Sequence, residues 1–287
     1  MRIVIVLDWN DQTFTAVQAV TRLYRPQEVV LVHAVDIRPF TDPIFGPTLS
    51  KQAYAEMRQF MEESGKQLVD RAADLLPAHV RSVRRLCEVG TPSHVILDTA
   101  RTASADLVAL GARGLTRISE FFLGSVSHRV LLHAPCTTLI VKGKADTPKR
   151  VLMPVEGPED GDRVKAWLHA HPFNHPVELS LLHVLPHPYV AEPGPSIPYG
   201  SWIQEVERRM EKMLQELAAA LSGPHYNVTT TLAKGFTAAT ISKAAEGCDL
   251  VVVGSHGRTG VSRFFLGSVS HAVVHRVAAP VLVVRLS

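Results

Sequence analysis

The chain repeats itself. Residues 106–128 read DLVALGARGLTRISEFFLGSVSH and residues 249–271 read DLVVVGSHGRTGVSRFFLGSVSH, at a constant offset of 143 residues, with FFLGSVSH identical in both. The register continues from Leu139-Ile140-Val141 to Leu282-Val283-Val284. Earlier landmarks also recur: Ile3–Asp8 answers Val151–Glu156, Leu31-Val32-His33 answers Leu181-Leu182-His183, and Gly90 answers Gly235. Solenoids and propellers repeat at roughly 20–50 residues. A unit this long is a duplicated domain, and 287 residues suit two domains of about 100–200 each. The boundaries expected are 1–143 and 149–287, joined by the short polar segment Gly143-Lys144-Ala145-Asp146-Thr147-Pro148.

Within each half, short β-branched runs alternate with amphipathic stretches. The runs are 2–7, 29–35, 82–89, 106–110 and 137–142, then 150–155, 177–185, 226–233, 249–253 and 280–285. They read as near-continuous apolar strands covered on both faces. Between them, Met57, Phe60, Met61, Leu68 and Val69, and likewise Ile203, Val206, Met210, Met213, Leu214 and Leu217, fall at helical spacing. Strands alternating with helices give an α/β fold: two tandem doubly wound domains, each with a five-stranded parallel sheet flanked by helices and joined by right-handed crossovers. Pro-rich stretches at Pro39–Pro47 and Pro186–Pro198 occupy the same place in each half and read as long loops near the carboxyl ends of the strands.

Composition narrows the function. Thirty basic against 27 acidic residues leave a net charge of +3, too balanced for a nucleic-acid or membrane-surface footprint. Cys87, Cys136 and Cys248 form no C-x-x-C pair, so neither a disulfide framework nor a structural zinc site is expected. Asp8 interrupts the amino-terminal apolar run too early for a secretion signal, and no run reaches the roughly 20 residues that span a bilayer. A cytoplasmic protein is expected. Five of the 14 histidines, His169, His171, His175, His183 and His187, crowd one region. His183 repeats His33 inside a strand, which favours structural roles over a metal site.

The chemistry-bearing pattern is a glycine loop. The fourth strand of each half ends in Gly111-Ala112-Arg113-Gly114 or Gly254-Ser255-His256-Gly257, and nine residues after the second glycine comes Gly124-Ser125 or Gly267-Ser268, opening a helix. Glycine allows backbone amides to approach and turn toward an anion, and a helix amino terminus offers unpaired N–H groups and a positive dipole end. Ser127 and Ser270 add hydroxyl donors. Open α/β sheets bind ligands outside the carboxyl ends of their strands, where strand order reverses. Neither the P-loop signature nor G-x-G-x-x-G occurs. Turn geometry alone would also call for glycines here, but the full spacing occurs twice, each time after an apolar strand.

Both halves resemble the universal stress protein family, and specifically its ATP-binding branch, whose signature is G-x2-G-x9-G-[S/T]. The first-strand Asp8, the Leu-His near the end of the second strand and the Ala-Pro-Cys and Ala-Ala-Pro segments before the last strand carry the likeness further. The resemblance implies a five-stranded parallel sheet with ATP, accompanied or not by Mg2+, across its carboxyl edge. By matching position it places the adenosine end at Asp8, Ala34 and Leu110 in the first half and at Glu156, Val184 and Val253 in the second. It places the phosphates at Gly111, Arg113, Gly114, Gly124, Ser125, Val126 and Ser127, and at Gly254, His256, Gly257, Gly267, Ser268, Val269 and Ser270. The chain departs from the family at Trp9-Asn10, where Gly-Ser is usual, at Glu156, which replaces Asp, and at Thr137, where Pro is usual.

Asp8 and Glu156 have a plainer role open to them, capping the helix that follows. A dedicated phosphotransferase would need a base or metal-binding carboxylate near the phosphates in both copies; Glu120 stands on one side only, opposite Arg263. The expectation is therefore an ATP-binding stress-response module without catalytic residues. A slow ATPase or phosphotransferase and a ligand-free interaction scaffold are the alternatives. The resemblance further implies that the two halves form an internal pseudo-dimer, with homodimerisation of the whole chain as a second level.

Overall fold

The computed structural model describes residues 1–10, 13–40, 50–112, 123–143, 146–186, 199–255 and 266–285. Most of both Pro-rich loops and the middle of both glycine loops, including Arg113, Gly114, His256 and Gly257, lie outside the described residues. The chain divides into two units, the first ending at Asp146 and the second beginning at Thr147.

The first unit runs β1 (Arg2–Leu7), α1 (Thr13–Leu23), β2 (Glu28–Val35), α2 (Lys51–Ala73), β3 (Ser82–Val89), α3 (Pro92–Thr102), β4 (Leu107–Gly111), α4 (Ser125–His133) and β5 (Thr137–Val141). Its strands are all parallel, in the order β3-β2-β1-β4-β5. The second unit runs β6 (Arg150–Pro154), α5 (Pro158–Ala170), β7 (Val177–Leu185), α6 (Tyr199–Leu221), β8 (Tyr226–Lys234), α7 (Thr237–Ala244), β9 (Leu250–Gly254), α8 (Ser268–Arg276) and β10 (Val281–Val284). Its order, β8-β7-β6-β9-β10, repeats the first, again all parallel. The doubly wound reading of the sequence is therefore the observed fold in both halves.

Central strands owe their position to composition. Ile3, Val4, Ile5, Leu107, Val108, Ala109, Leu139 and Ile140 are almost wholly buried, as are Leu152, Met153, Val251, Val252 and Leu282 in the second unit. Helices cover both faces, so every position on these strands meets a side chain rather than water. The outer strands β3 and β8 differ from the expected continuous apolar run. Ser82, Arg84 and Arg85 on β3, and Thr229, Thr230 and Thr231 on β8, are exposed, because an edge strand meets sheet on one side only and polar side chains there discourage pairing with another chain.

In each sheet the order reverses beside the first strand: β1 lies between β2 and β4, and β6 between β7 and β9. The loops leaving β1 and β4, or β6 and β9, therefore diverge to opposite faces and leave a crevice at the carboxyl ends. That crevice is where the glycine loops begin.

Candidate functional site

The two glycine loops are anchored by the same hydrogen bonds. In the first unit Ala112 N donates to Val141 O (2.9 Å), Gly124 N to Ala112 O (2.8 Å) and His128 N to Gly124 O (2.8 Å). In the second, Ser255 N donates to Val284 O (3.0 Å), Gly267 N to Ser255 O (2.8 Å) and His271 N to Gly267 O (2.8 Å). Each loop thus leaves its strand, returns to the residue it left from, and passes directly into a helix. Gly124 and Gly267 are the helix caps, and neither α4 nor α8 has a side-chain cap. The first-turn amides of Ser125, Val126 and Ser127, and of Ser268, Val269 and Ser270, therefore stand at a helix amino terminus without a capping side chain, a setting suited to an anion.

Two hydroxyls placed by sequence among the phosphate donors have another partner. Ser127 Oγ donates to Gly111 O (2.8 Å) and Ser270 Oγ to Gly254 O (2.7 Å). Each ties the first helical turn to the last residue of the strand, fixing the two ends of the loop against each other. Their hydroxyl protons are thus directed at carbonyls, and the backbone amides of the same turn are left as the anion donors.

The repeated histidines act as pins. His33 Nδ1–H donates to Leu7 O (2.9 Å) and His183 Nδ1–H to Val155 O (2.8 Å), each joining the second strand to the end of the first. Burial holds the His33 imidazole below its ordinary value, which keeps it neutral. In the first unit Trp9 sets its ring edge-on to His33, with centroids 4.4 Å apart, and Gly65 of α2 packs so closely that a Cβ there would lie 2.7 Å from Cys87 Sγ and 2.8 Å from His33 Cδ2. Trp9 thus packs on His33 near the carboxyl end of β2.

The acidic residues after the first strand differ between the units. Asp8 is half-buried, its Oδ1 accepts from Asn10 N (3.0 Å), and burial raises its carboxyl above the usual carboxylate range against that hydrogen bond. Glu156 is exposed. Its backbone N–H instead donates to Asp160 Oδ2 (3.1 Å), in the first turn of α5. Asp160 is only 8% exposed, and its other oxygen, Oδ1, is buried without a hydrogen-bond partner among the described residues. Burial pushes its carboxyl up to about 6, against the Glu156 amide and Arg163. A Cβ on Gly254 would lie 1.9 Å from Asp160 Oδ1, so the first glycine of the loop is required by close approach. Asp160 is the site residue that reading the sequence missed. It stands four residues after Glu156, as an ordinary first-turn acid behind Gly157-Pro158, and only its packing on Gly254 distinguishes it.

The second unit holds a cavity of about 820 Å3 at the carboxyl ends of its strands. Six of the ten residues expected at the second-half site line it: Glu156, Val184, Val253, Gly254, Val269 and Ser270. Gly267 and Ser268 follow at the mouth of the helix but are not among the lining residues. The far wall is apolar, built from Leu185, Trp202, Ile203, Val206, Met210 and Ile241, with the Lys234–Glu207 ion pair (2.5 Å) at its edge. Size and lining, mostly apolar with a few converging polar groups, are those of a small-molecule site. In the first unit, Asp8 follows β1, Ala34 is the last residue but one of β2, Leu110 and Gly111 end β4, and Gly124 to Ser127 open α4, so the same positions gather at the carboxyl edge of that sheet.

Among the described residues, no helix is long and apolar enough to cross a membrane. The universal stress protein family model matches the chain twice, over residues 1–142 and 147–285. A universal stress protein of Mycobacterium tuberculosis is 30% identical over 243 residues, covering 79% of each chain, and one of Mycolicibacterium smegmatis is 28% identical over 242 residues, covering 80% of each. The crystal structure of a universal stress protein from Archaeoglobus fulgidus aligns over 99% of this chain and 96% of its own, with a TM-score of 0.58 at 16% identity, a likeness of fold. Two family matches, one on each copy of the repeat and together spanning nearly the whole sequence, assign the chain to the universal stress protein family as a protein with two such domains.

Proposed function

We propose that the protein is an ATP-binding stress-response module, holding nucleotide at the glycine loop of each half with its phosphates on the loop and the first turn of α4 or α8. The observation that carries this reading is the second-unit cavity, which brings a strand-end glycine, an uncapped helix amino terminus and an apolar wall into one space of nucleotide-compatible size. The polar end suits phosphates and the apolar wall suits a flat base. Loop anchoring repeats bond for bond in the first unit, which supports a second site of the same kind.

Binding rather than turnover is the function proposed. Glu156, which lines the second-unit cavity, aligns with Asp8 at the expected adenosine end, whereas Asp160, the acid beside the glycine loop, aligns with Gln12, so the two copies share no acid beside the loop. In this reading the protein works in the cytoplasm, and association of the two halves belongs to the same proposal. The nucleotide that copurifies with the chain, identified by chromatography and expressed per mole of protein, tests the reading. Adenine nucleotide near stoichiometry supports it; protein that carries none and binds no added ATP rejects it.

A further inference from the structure

The second unit contains a buried acid that the nucleotide reading does not use. Asp160 sits in the first turn of α5, its Oδ2 committed to the Glu156 amide and its Oδ1 sealed beneath Gly254 with no donor. Gly254 is where the glycine loop leaves β9, and its carbonyl is tied to the first turn of α8 through Ser270 Oγ. A carboxylate oxygen in such a place is unfavourable when charged, because no described residue donates to it and little water reaches it. A polyphosphate laid on the same loop adds like charge close by.

We infer that Asp160 makes polyphosphate binding in the second half proton-linked: the site accepts a nucleoside polyphosphate readily when Asp160 is protonated and poorly when it is ionised; the aligned first-half residue is Gln12. The inference rests on the proposed nucleotide site and names its regulation. The surroundings do not supply a competing counter-charge on every side. On its own helix Arg163 favours the ionised form, while Glu156, on the approach to that helix, opposes it. From β7, His183 also lines the cavity, its Nδ1–H committed to Val155 O. From α6 and β8, Glu207 and Lys234 pair with each other (2.5 Å), and Arg209 pairs with Glu205 (2.7 Å). On β9, Gly254 and Ser255 bring no titratable side chain, and neither do the α8 residues lining the cavity, Val269, Ser270 and Val273.

With its carboxyl up at about 6, Asp160 is mostly protonated near pH 5 and mostly ionised near pH 7.5. If only the protonated form accepts polyphosphate, affinity falls by up to about thirtyfold across that interval. The test is calorimetric titration of the full chain carrying Gly124→Val, which removes the first-half site, with ATP and separately with adenosine, at both pH values, with and without Asp160→Asn. ATP itself also takes up a proton in this range, so the quantity read is the difference between the two chains. The expected result is a steep loss of ATP affinity with rising pH that shrinks by roughly an order of magnitude in Asp160→Asn, adenosine affinity alike in both, and net proton uptake on ATP binding in buffers of different ionisation enthalpy. ATP binding with the same pH profile in both chains overturns the inference and leaves the nucleotide site standing. No ATP binding by either chain at either pH overturns both.

Discussion

Replacing Gly254 by alanine probes the contact on which the second-half site is built. The added Cβ would lie 1.9 Å from Asp160 Oδ1 and 3.1 Å from its Cγ, so one partner has to move. Strand β9 is held on both sides: Val251 to Val253 are buried, β9 pairs with β6 and β10, and Gly254 O receives Ser270 Oγ. The carboxyl is therefore the group displaced, giving up its bond from Glu156 N. Overpacking costs about 1–3 kcal/mol and the lost hydrogen bond about 0.5–1.5 kcal/mol. Expelling the acid also relieves its desolvation. A carboxyl raised from 3.8 to about 6 on folding carries a penalty that is fully present above pH 6 and disappears below 3.8; it amounts to at most about 3 kcal/mol. At pH 7.5 the two effects nearly cancel, and Gly254→Ala should change stability by no more than about 1.5 kcal/mol in either direction. At pH 4.5 the native acid is protonated, little is relieved, and the cost should rise by about 2 kcal/mol. Urea unfolding read from Trp167, with Trp9→Phe and Trp202→Phe as background, isolates the second unit, since these are the three tryptophans of the chain. An equal cost at both pH values, or a cost that persists in Asp160→Ala, would refute the assignment of Asp160 as the clashing partner.

Three further outcomes follow from the same packing. Asp160→Asn keeps an acceptor for the Glu156 amide and removes the buried charge, so it should stabilise the second unit by about 1–3 kcal/mol at pH 7.5, an advantage that fades as the pH falls toward 4, measured in the same urea titration. Gly65→Ala should destabilise the first unit by about 1–3 kcal/mol despite alanine's better helix propensity, because Cys87 and His33 occupy the space; adding Cys87→Ala should restore part of the loss in thermal unfolding followed by Trp9 fluorescence. Asp8→Ala should weaken ATP binding more than Glu156→Ala does, since Asp8 is half-buried and holds its own turn through Asn10 N whereas Glu156 is exposed; calorimetric titration of the two variants in parallel checks the ranking, and a larger loss from Glu156→Ala reverses it.

Much of this was readable from residues alone, for physical reasons. The tandem architecture follows from an ungapped internal repeat, and the central strands from apolar runs that only a sheet covered on both faces can bury. Gly124 and Gly267 were legible as helix starts because glycine followed by serine, then an apolar-periodic stretch, is how such helices open. The edge character of β3 and β8 was harder to read: Arg84 and Arg85 among apolar neighbours record exposure on one side, a property of position in the sheet. Ser127 and Ser270 looked like phosphate donors because hydroxyls at a helix start often are, yet a carbonyl at the strand end lies within reach of each. Asp160 was illegible for a deeper reason. What makes it unusual is the absence of a side chain on Gly254, a residue remote in sequence, and no local pattern encodes that meeting.

The ATP stoichiometry of the full chain and its cap-glycine variants tests whether each half holds ATP on its glycine loop. Gly124 and Gly267 have φ near −60°, a value any residue adopts, so valine at either position should leave the fold intact while blocking the approach of phosphate to the backbone. Isothermal titration near pH 6 should give two ATP per native chain, one for Gly124→Val, one for Gly267→Val and none for the double variant, with superimposable circular dichroism spectra throughout. Undiminished ATP binding by a folded double variant would contradict the account.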